Sequence, residues 1–248
     1  MNAIYILWLR QLKRYFRSRA RIFGSLAQPL LFLIALGFGF GPVYQKAGSG
    51  NYIEFLAPGI MAMSIIFTAV FSGIEVIWDR QFGFLKETLV APVSRLNIVI
   101  GRTLGGATVA SFQGIIVFLL SFAVGFRVTN MALLPMAFVF IFLIALLFTA
   151  IGTAIASVLK DMQGFQLIMN FLLMPLFFLS GALFPSEGLP KFLNIIMKLD
   201  PLSYGVDGLR GSLVNGFHFG LHIDLLVLSI LTTFFLIIGS YLFSKIEI

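Results

Sequence analysis

Cysteine is absent from the 248 residues, which excludes disulfides and thiolate metal sites at the outset. Charge is scarce: Asp, Glu, Lys and Arg make up 11% of the chain, where a soluble domain carries about a quarter. Polar aromatic residues are few, with 6 tyrosines and 2 tryptophans against 29 phenylalanines. No Gly-Lys pair occurs, so the chain cannot build the G-x-x-x-x-G-K-[ST] loop that cradles nucleotide phosphates. His218 and His222 stand four apart, but no glutamate follows His218 and no third ligand is evident, so they read as interfacial polar residues rather than a metal site. Ser111 and Ser121 have no charged base near them in sequence, and nothing here points to an enzyme.

What is present is apolar. Hydrophobic residues account for 59% and mean hydropathy is +1.02, more than polar side chains can cover, so the bilayer must act as solvent. A helix crossing the hydrocarbon needs roughly 20 apolar residues. Six stretches qualify, at about Ile22–Phe40, Phe55–Trp78, Leu96–Phe126, Met131–Leu159, Phe165–Leu183 and Ile223–Phe243. The expected fold is an all-α membrane protein with six transmembrane helices, since barrel strands would alternate over about ten residues.

The net charge of +7 raises nucleic acid as a partner, but its distribution fits a membrane surface better. With the N-terminus inside, Arg10, Lys13, Arg14, Arg17, Arg19, Arg21, Arg80, Lys86, Arg95, Arg102, Lys160 and Lys245 fall on the inner side. Only Lys46, Arg127, Lys191, Lys198 and Arg210 fall outside. The positive-inside bias therefore places both termini in the cytoplasm of a multi-pass inner- or plasma-membrane protein.

Three segments do not span. Residues 1–21 carry Ile4, Leu7, Trp8, Leu12 and Tyr15 on one helical face and Arg10, Lys13, Arg14 and Arg17 on the other. That is the pattern of an amphipathic helix lying in the membrane interface, with a plain basic leader as the alternative. The inner loop 79–95 places Phe82, Phe84, Leu85 and Leu89 among Arg80, Lys86, Glu87 and Arg95, with Pro92 ending any helix and Ser94 placed to cap the next. Such apolar knobs with a charged rim suit a partner's groove, or else rest on the membrane surface. The outer region 184–221 holds short apolar pieces broken by Pro185, Gly188, Pro190 and Pro201, which fits a re-entrant hairpin better than a disordered loop.

Buried polar groups bear on mechanism. Glu75 sits at the inner end of span two and Asp224 at the outer end of span six, and Arg102 lies near enough to the cytoplasm to snorkel. The absence of mid-depth charge in spans one, four and five weakens an ion-coupled carrier, although Pro29 and Pro175 could each break a helix. Thr68, Ser72, Gln113 and Asn170 are the mild deep polar residues; they line a path for an amphipathic solute or hold helices together. Gly101 and Gly105, and Gly152 and Ala156, permit close packing.

Three runs carry a family resemblance: LKETLVAPVSRLNIVIGRTLG (Leu85–Gly105), FLLMPLFFLSGALFP (Phe171–Pro185) and LDPLSYGVDGLRG (Leu199–Gly211). In this order the chain resembles, over its whole length 1–248, the ABC-2 type membrane subunits of ABC transporters, particularly the daunorubicin-resistance type of drug exporter. The family's usual Asn-Pro opening of the third run is here Asp200-Pro201. The resemblance implies a non-catalytic permease that binds no cofactor itself. It would pair with a second permease copy (a homodimer or a paired subunit) and with a separate ATP-binding subunit that holds ATP and Mg. It assigns ATPase coupling to Arg80, Phe82, Phe84, Leu85, Lys86, Glu87 and Pro92. A path between the copies would pass Thr68, Ser72, Glu75, Asn170 and Phe171, and Pro185, Pro201, Tyr204, Asp207 and Arg210 would organise the outer face. A hydrophobic or amphipathic solute, drug or lipid-like, is the expected cargo; the alternatives are a lipid-linked glycan or polysaccharide, or an ion-coupled carrier acting alone.

Overall fold

The computed structural model describes residues 3–46, 50–90, 92–185 and 190–246, without the side chains of Arg21 and Leu89. The described residues form eleven helices: α1 (Ala3–Arg17), α2 (Arg19–Lys46), α3 (Tyr52–Phe71), α4 (Ile74–Gln81), α5 (Phe84–Val90), α6 (Arg95–Ala123), α7 (Leu134–Val158), α8 (Met162–Leu179), α9 (Lys191–Leu199), α10 (Pro201–Val214) and α11 (Leu221–Ser244). Among the described residues six segments are long and apolar enough to cross a membrane: α2 from Ile22, α3 continued through α4, α6, α7, α8 and α11. The protein is a multi-pass membrane protein.

Local chemistry explains the helix ends. Asn51 accepts from the Ile53 N–H at 3.0 Å to open α3, Ser94 caps α6 through Asn97, and Asp161 caps α8 through Gly164. Pro92 falls between α5 and α6, where its ring and missing N–H stop a helix. Pro29 and Pro175, expected as possible breaks, lie inside α2 and α8 without interrupting them. Packed neighbours can re-satisfy a freed carbonyl.

The core lies where α3, α6 and α7 meet, with α11 against α7, and α3 is buried along most of its length. Between α3 and α4 the ladder tightens at Ser72 and Gly73, where Gly73 N–H donates to the Val70 carbonyl at 3.0 Å. This is a contact point of two backbones: a Cβ on Gly152 of α7 would stand 2.5 Å from the Val70 oxygen, and one on Gly73 would stand 2.5 Å from the Gly152 oxygen. No side chain fits between them. By contrast α2, α8 and α11 leave broad apolar faces uncovered within the single chain.

At one end of the bundle α1 lies along the first half of α6. Gly101 and Gly105, spaced for a close helix approach, receive α1 rather than another span. A Cβ on Gly101 would meet the Ile4 oxygen at 3.0 Å, and one on Gly105 the Gln11 side chain at 2.6 Å. Trp8 donates to the Thr108 hydroxyl at 3.0 Å, and Tyr15, fully buried, donates to the Gln113 amide oxygen at 2.7 Å. The face expected to rest in lipid therefore packs largely on protein. At the opposite end, α10 fills the space among α3, α7 and α11.

Candidate functional site

The α1 end is organised by one carboxylate. Asp79, buried at the end of α4, accepts from Arg10 of α1 through two bonds at 2.8 and 3.2 Å. Arg102 of α6 bonds its other flank. Arg14 stands 3.6 Å from Glu75 and 3.9 Å from Asp79. Arg102 is thus buried and paired instead of snorkelling to solvent, because a carboxylate within reach removes the need for water. Arg10 and Arg14 also cover rings, of Phe84 at 4.6 Å and Trp78 at 4.9 Å. These two cations neutralise the chain's own acids and are not left free for headgroups.

The residues expected to couple to a partner divide at this point. Phe82 is 76% exposed, Phe84 half exposed beneath Arg10, and Lys86, Glu87 and Pro92 are exposed. Leu85 is 2% exposed and belongs to the hydrophobic core, so it anchors α5 to its own bundle and offers no knob to a partner. Arg80 turns back to the Leu159 carbonyl, and Gln81 to that of Lys160 at 3.2 Å, tying α4 to the turn before α8.

The expected path residues are not brought together either. Ser72 is buried and donates to the Ala69 carbonyl at 2.6 Å, which is helix-internal bonding, and Glu75 belongs to the arginine cluster. Asn170 and Phe171 are exposed on the far side of α8, Phe171 by 83%, because Phe165, Met169, Leu173 and Phe177 take the buried stripe. Thr68 lines a cavity of about 160 Å³ with Tyr15, Ser25, Gln28, Ser64, Phe67 and Phe71, while Phe171 lines a separate apolar one with Pro175, Ile196 and Leu199. The lining beside Thr68 holds hydroxyls, an amide and rings, with no ionised side chain, and the buried Ser64 hydroxyl has no bonding partner among the described residues.

At the α10 end, Asp200 caps α10 by accepting from the Leu202 N–H at 2.8 Å, with Pro201 at the first helical position. Burial pushes the Asp200 carboxyl up to about 7, against the stabilising Leu202 bond. Asp207 receives the N–H groups of His218 and Phe219 at 2.7 and 2.8 Å, which folds the loop before α11 onto α10. Arg210 covers the Phe55 ring at 3.9 Å and donates to the Phe55 and Gly181 carbonyls, at 3.2 and 3.0 Å. Burial lowers its pKa to about 10, so it keeps its charge at neutral pH. Tyr204 donates to the Lys198 carbonyl at 2.8 Å and stacks on Phe219. Pro185 is exposed, and 186–189 of the expected hairpin lie outside the described residues.

A model of the ABC-2 type transporter family matches residues 2–214. The chain belongs to that family. It is 29% identical to a putative transport permease ycf38 of Cyanophora paradoxa, over 85% of this chain and 73% of the relative. It is 30% identical to nodulation protein J of Rhizobium leguminosarum bv. trifolii, over 83% and 76%. It is 28% identical to the inner membrane transport permease YadH of Escherichia coli K12, over 84% and 81%. As an ABC-2 permease it is a non-catalytic transport subunit, and no group of three metal-ligating side chains occurs among the described residues.

The Asp79 cluster of this permease was missed from sequence although a signal existed. Arg102 sits several residues inside an apolar stretch and needs an acidic partner, and Asp79 is the acidic residue that closes span two. Gln28 and Ser64 carried no such signal, because isolated polar residues in spans more often bond neighbouring helices.

Proposed function

We propose that this ABC-2 permease is the membrane half of an ATP-driven exporter, energised by a separate ATP-binding subunit that holds ATP and Mg. The observation that carries the reading is Phe82, an exposed aromatic at the α4–α5 turn, rimmed by Lys86 and Glu87 and joined rigidly to the bundle through Leu85 and Asp79. A knob on a stiff lever transmits a push from a nucleotide-driven partner to the spans as near-rigid-body tilting. In this reading both termini face the cytoplasm, α1 lies at the inner membrane surface, and α9 with α10 forms the outer re-entrant element. Two copies pair through the uncovered faces of α2 and α8, where Asn170 and Phe171 stand exposed; Pro185, Pro201, Tyr204, Asp207 and Arg210 hold the outer face.

The cargo that fits best is an amphiphile with an uncharged polyhydroxyl head, a lipid-linked glycan. The cavity beside Thr68 supports it: hydroxyls, an amide and aromatic rings suit sugar hydroxyls and ring faces, and no counter-charge is offered. At about 160 Å³ it is smaller than the roughly 300–1,000 Å³ of drug-sized sites, so it holds about one sugar ring of such a head at a time rather than a whole drug body. A wholly hydrophobic drug is the second reading, favoured by the phenylalanines exposed on α8.

The test is cross-linking from a cysteine at position 82 in cells, with the expected product joined to a P-loop subunit. Persistent failure to capture one, with normal membrane insertion, removes the docking role. Transport in liposomes by the permease alone establishes an ion-coupled carrier instead.

A further inference from the structure

Between α1 and the α4–α5 turn runs an open groove of about 840 Å³. Its walls are apolar at Ile6, Leu9 and Trp78, while Arg10, Lys13, Arg14 and Arg17 set four cations against the single carboxylate of Asp79. Arg10 and Arg14 are spent on Asp79 and Glu75. Lys13 and Arg17 are exposed, and among the described residues no carboxylate lies within ion-pair distance of either. The groove thus carries positive charge that the chain itself leaves unmatched.

Its depth is set by three independent markers. The first apolar span begins at Ile22, just past α1; the second ends at Gln81, three residues beyond Trp78; the third begins at Arg95. By these span ends the groove is assigned to the headgroup layer, with Ile6, Leu9 and Trp78 as its apolar wall. We propose that this groove binds the phosphate of an anionic phospholipid, with Lys13 and Arg17 as the charge-matching ligands and Ile6, Leu9 and Trp78 against the upper acyl chain. Guanidinium and ammonium donors suit phosphate oxygens, and each juxtamembrane cation adds attraction to anionic lipid. Phe82 and Phe84 line the same groove, and its excess of cations over carboxylate suits a phosphate better than an apolar protein knob. The proposal does not depend on which solute is carried.

Trp78 lines the groove, and Trp8 is the other of the two tryptophans. The full chain carrying Trp8→Phe, in nanodiscs, reports Trp78 fluorescence. Quenching by brominated phosphatidylglycerol is compared with that by brominated phosphatidylcholine at equal mole fraction. The expected result is a several-fold preference for the anionic lipid that falls to near parity in Lys13→Gln/Arg17→Gln. Both substitutions are on exposed side chains, and near-unchanged thermal unfolding of the double variant confirms that the fold is retained. Equal quenching by the two lipids overturns the proposal, as does a preference that survives the double variant. Loss of the preference in excess inorganic phosphate shows a free-anion site, and displacement of the lipid by the ATP-binding subunit shows a protein surface; either result also overturns it.

Discussion

Asp200 illustrates how one buried carboxyl links stability to pH. Its folded-state pKa of about 7 lies above the unfolded value of about 3.9, so the folded protein binds the proton more tightly. The contribution is full below about pH 4 and is lost as pH rises through about 7. Asn serves equally as an N-cap and cannot ionise. Thermal unfolding of Asp200→Asn is expected to be flat across that window and higher than wild type at pH 8; parallel pH profiles for the two proteins refute the assignment. The Asp-Pro opening of α10, visible in the sequence, thus acquires a physical consequence. Asp79 gives a second prediction at this scale. Asp79→Ala leaves Arg102 buried without its partner and is expected to destabilise by about 3–5 kcal/mol, with Arg102→Met restoring part of the loss in a double-mutant cycle.

Elements were legible where they are long and self-sufficient. The six spans, the α1 period, the Pro92 stop and the Ser94 cap followed from local chemistry, with span boundaries differing by a few residues. The partners of those elements were not legible. The spacing of Gly101 and Gly105 announces a close approach without naming the approaching helix, and the structure supplies α1. Gly105→Leu is therefore expected to lift α1 from α6, sharply lowering the yield of cross-linking by a short bifunctional thiol reagent between cysteines at positions 8 and 108. Gly105→Ala is expected to weaken that cross-link less. Continued efficient cross-linking in Gly105→Leu would show that α1 is held by the Asp79 cluster alone. The Phe82, Phe84 and Leu85 run illustrates the same limit, since the sequence shows three apolar residues at a charged turn but not which one faces inward.

For the whole molecule, the separation of Phe82 from Leu85 makes coupling and folding experimentally distinct. Phe82→Ala touches an exposed side chain and is expected to change stability by less than about 0.5 kcal/mol while uncoupling ATP hydrolysis from transport. Leu85→Ala opens a buried cavity and is expected to cost about 2–5 kcal/mol, with transport falling in step with folded protein. Equal effects of the two on unfolding temperature would merge the roles again.

The scarcity of charge and the six apolar runs determined by themselves that this chain lives in a bilayer, and its residues spell no phosphate-cradling G-x-x-x-x-G-K-[ST] loop. Hydropathy and short motifs are properties of contiguous residues, so they survive in one dimension. Which arginine meets Asp79, which leucine turns inward, and that Thr68 opens on a neutral cavity while Phe171 faces away were decided only by tertiary structure. Those facts depend on how far helices rotate about their axes when they pack, and a rotation of one residue's 100° arc exchanges a buried side chain for an exposed one.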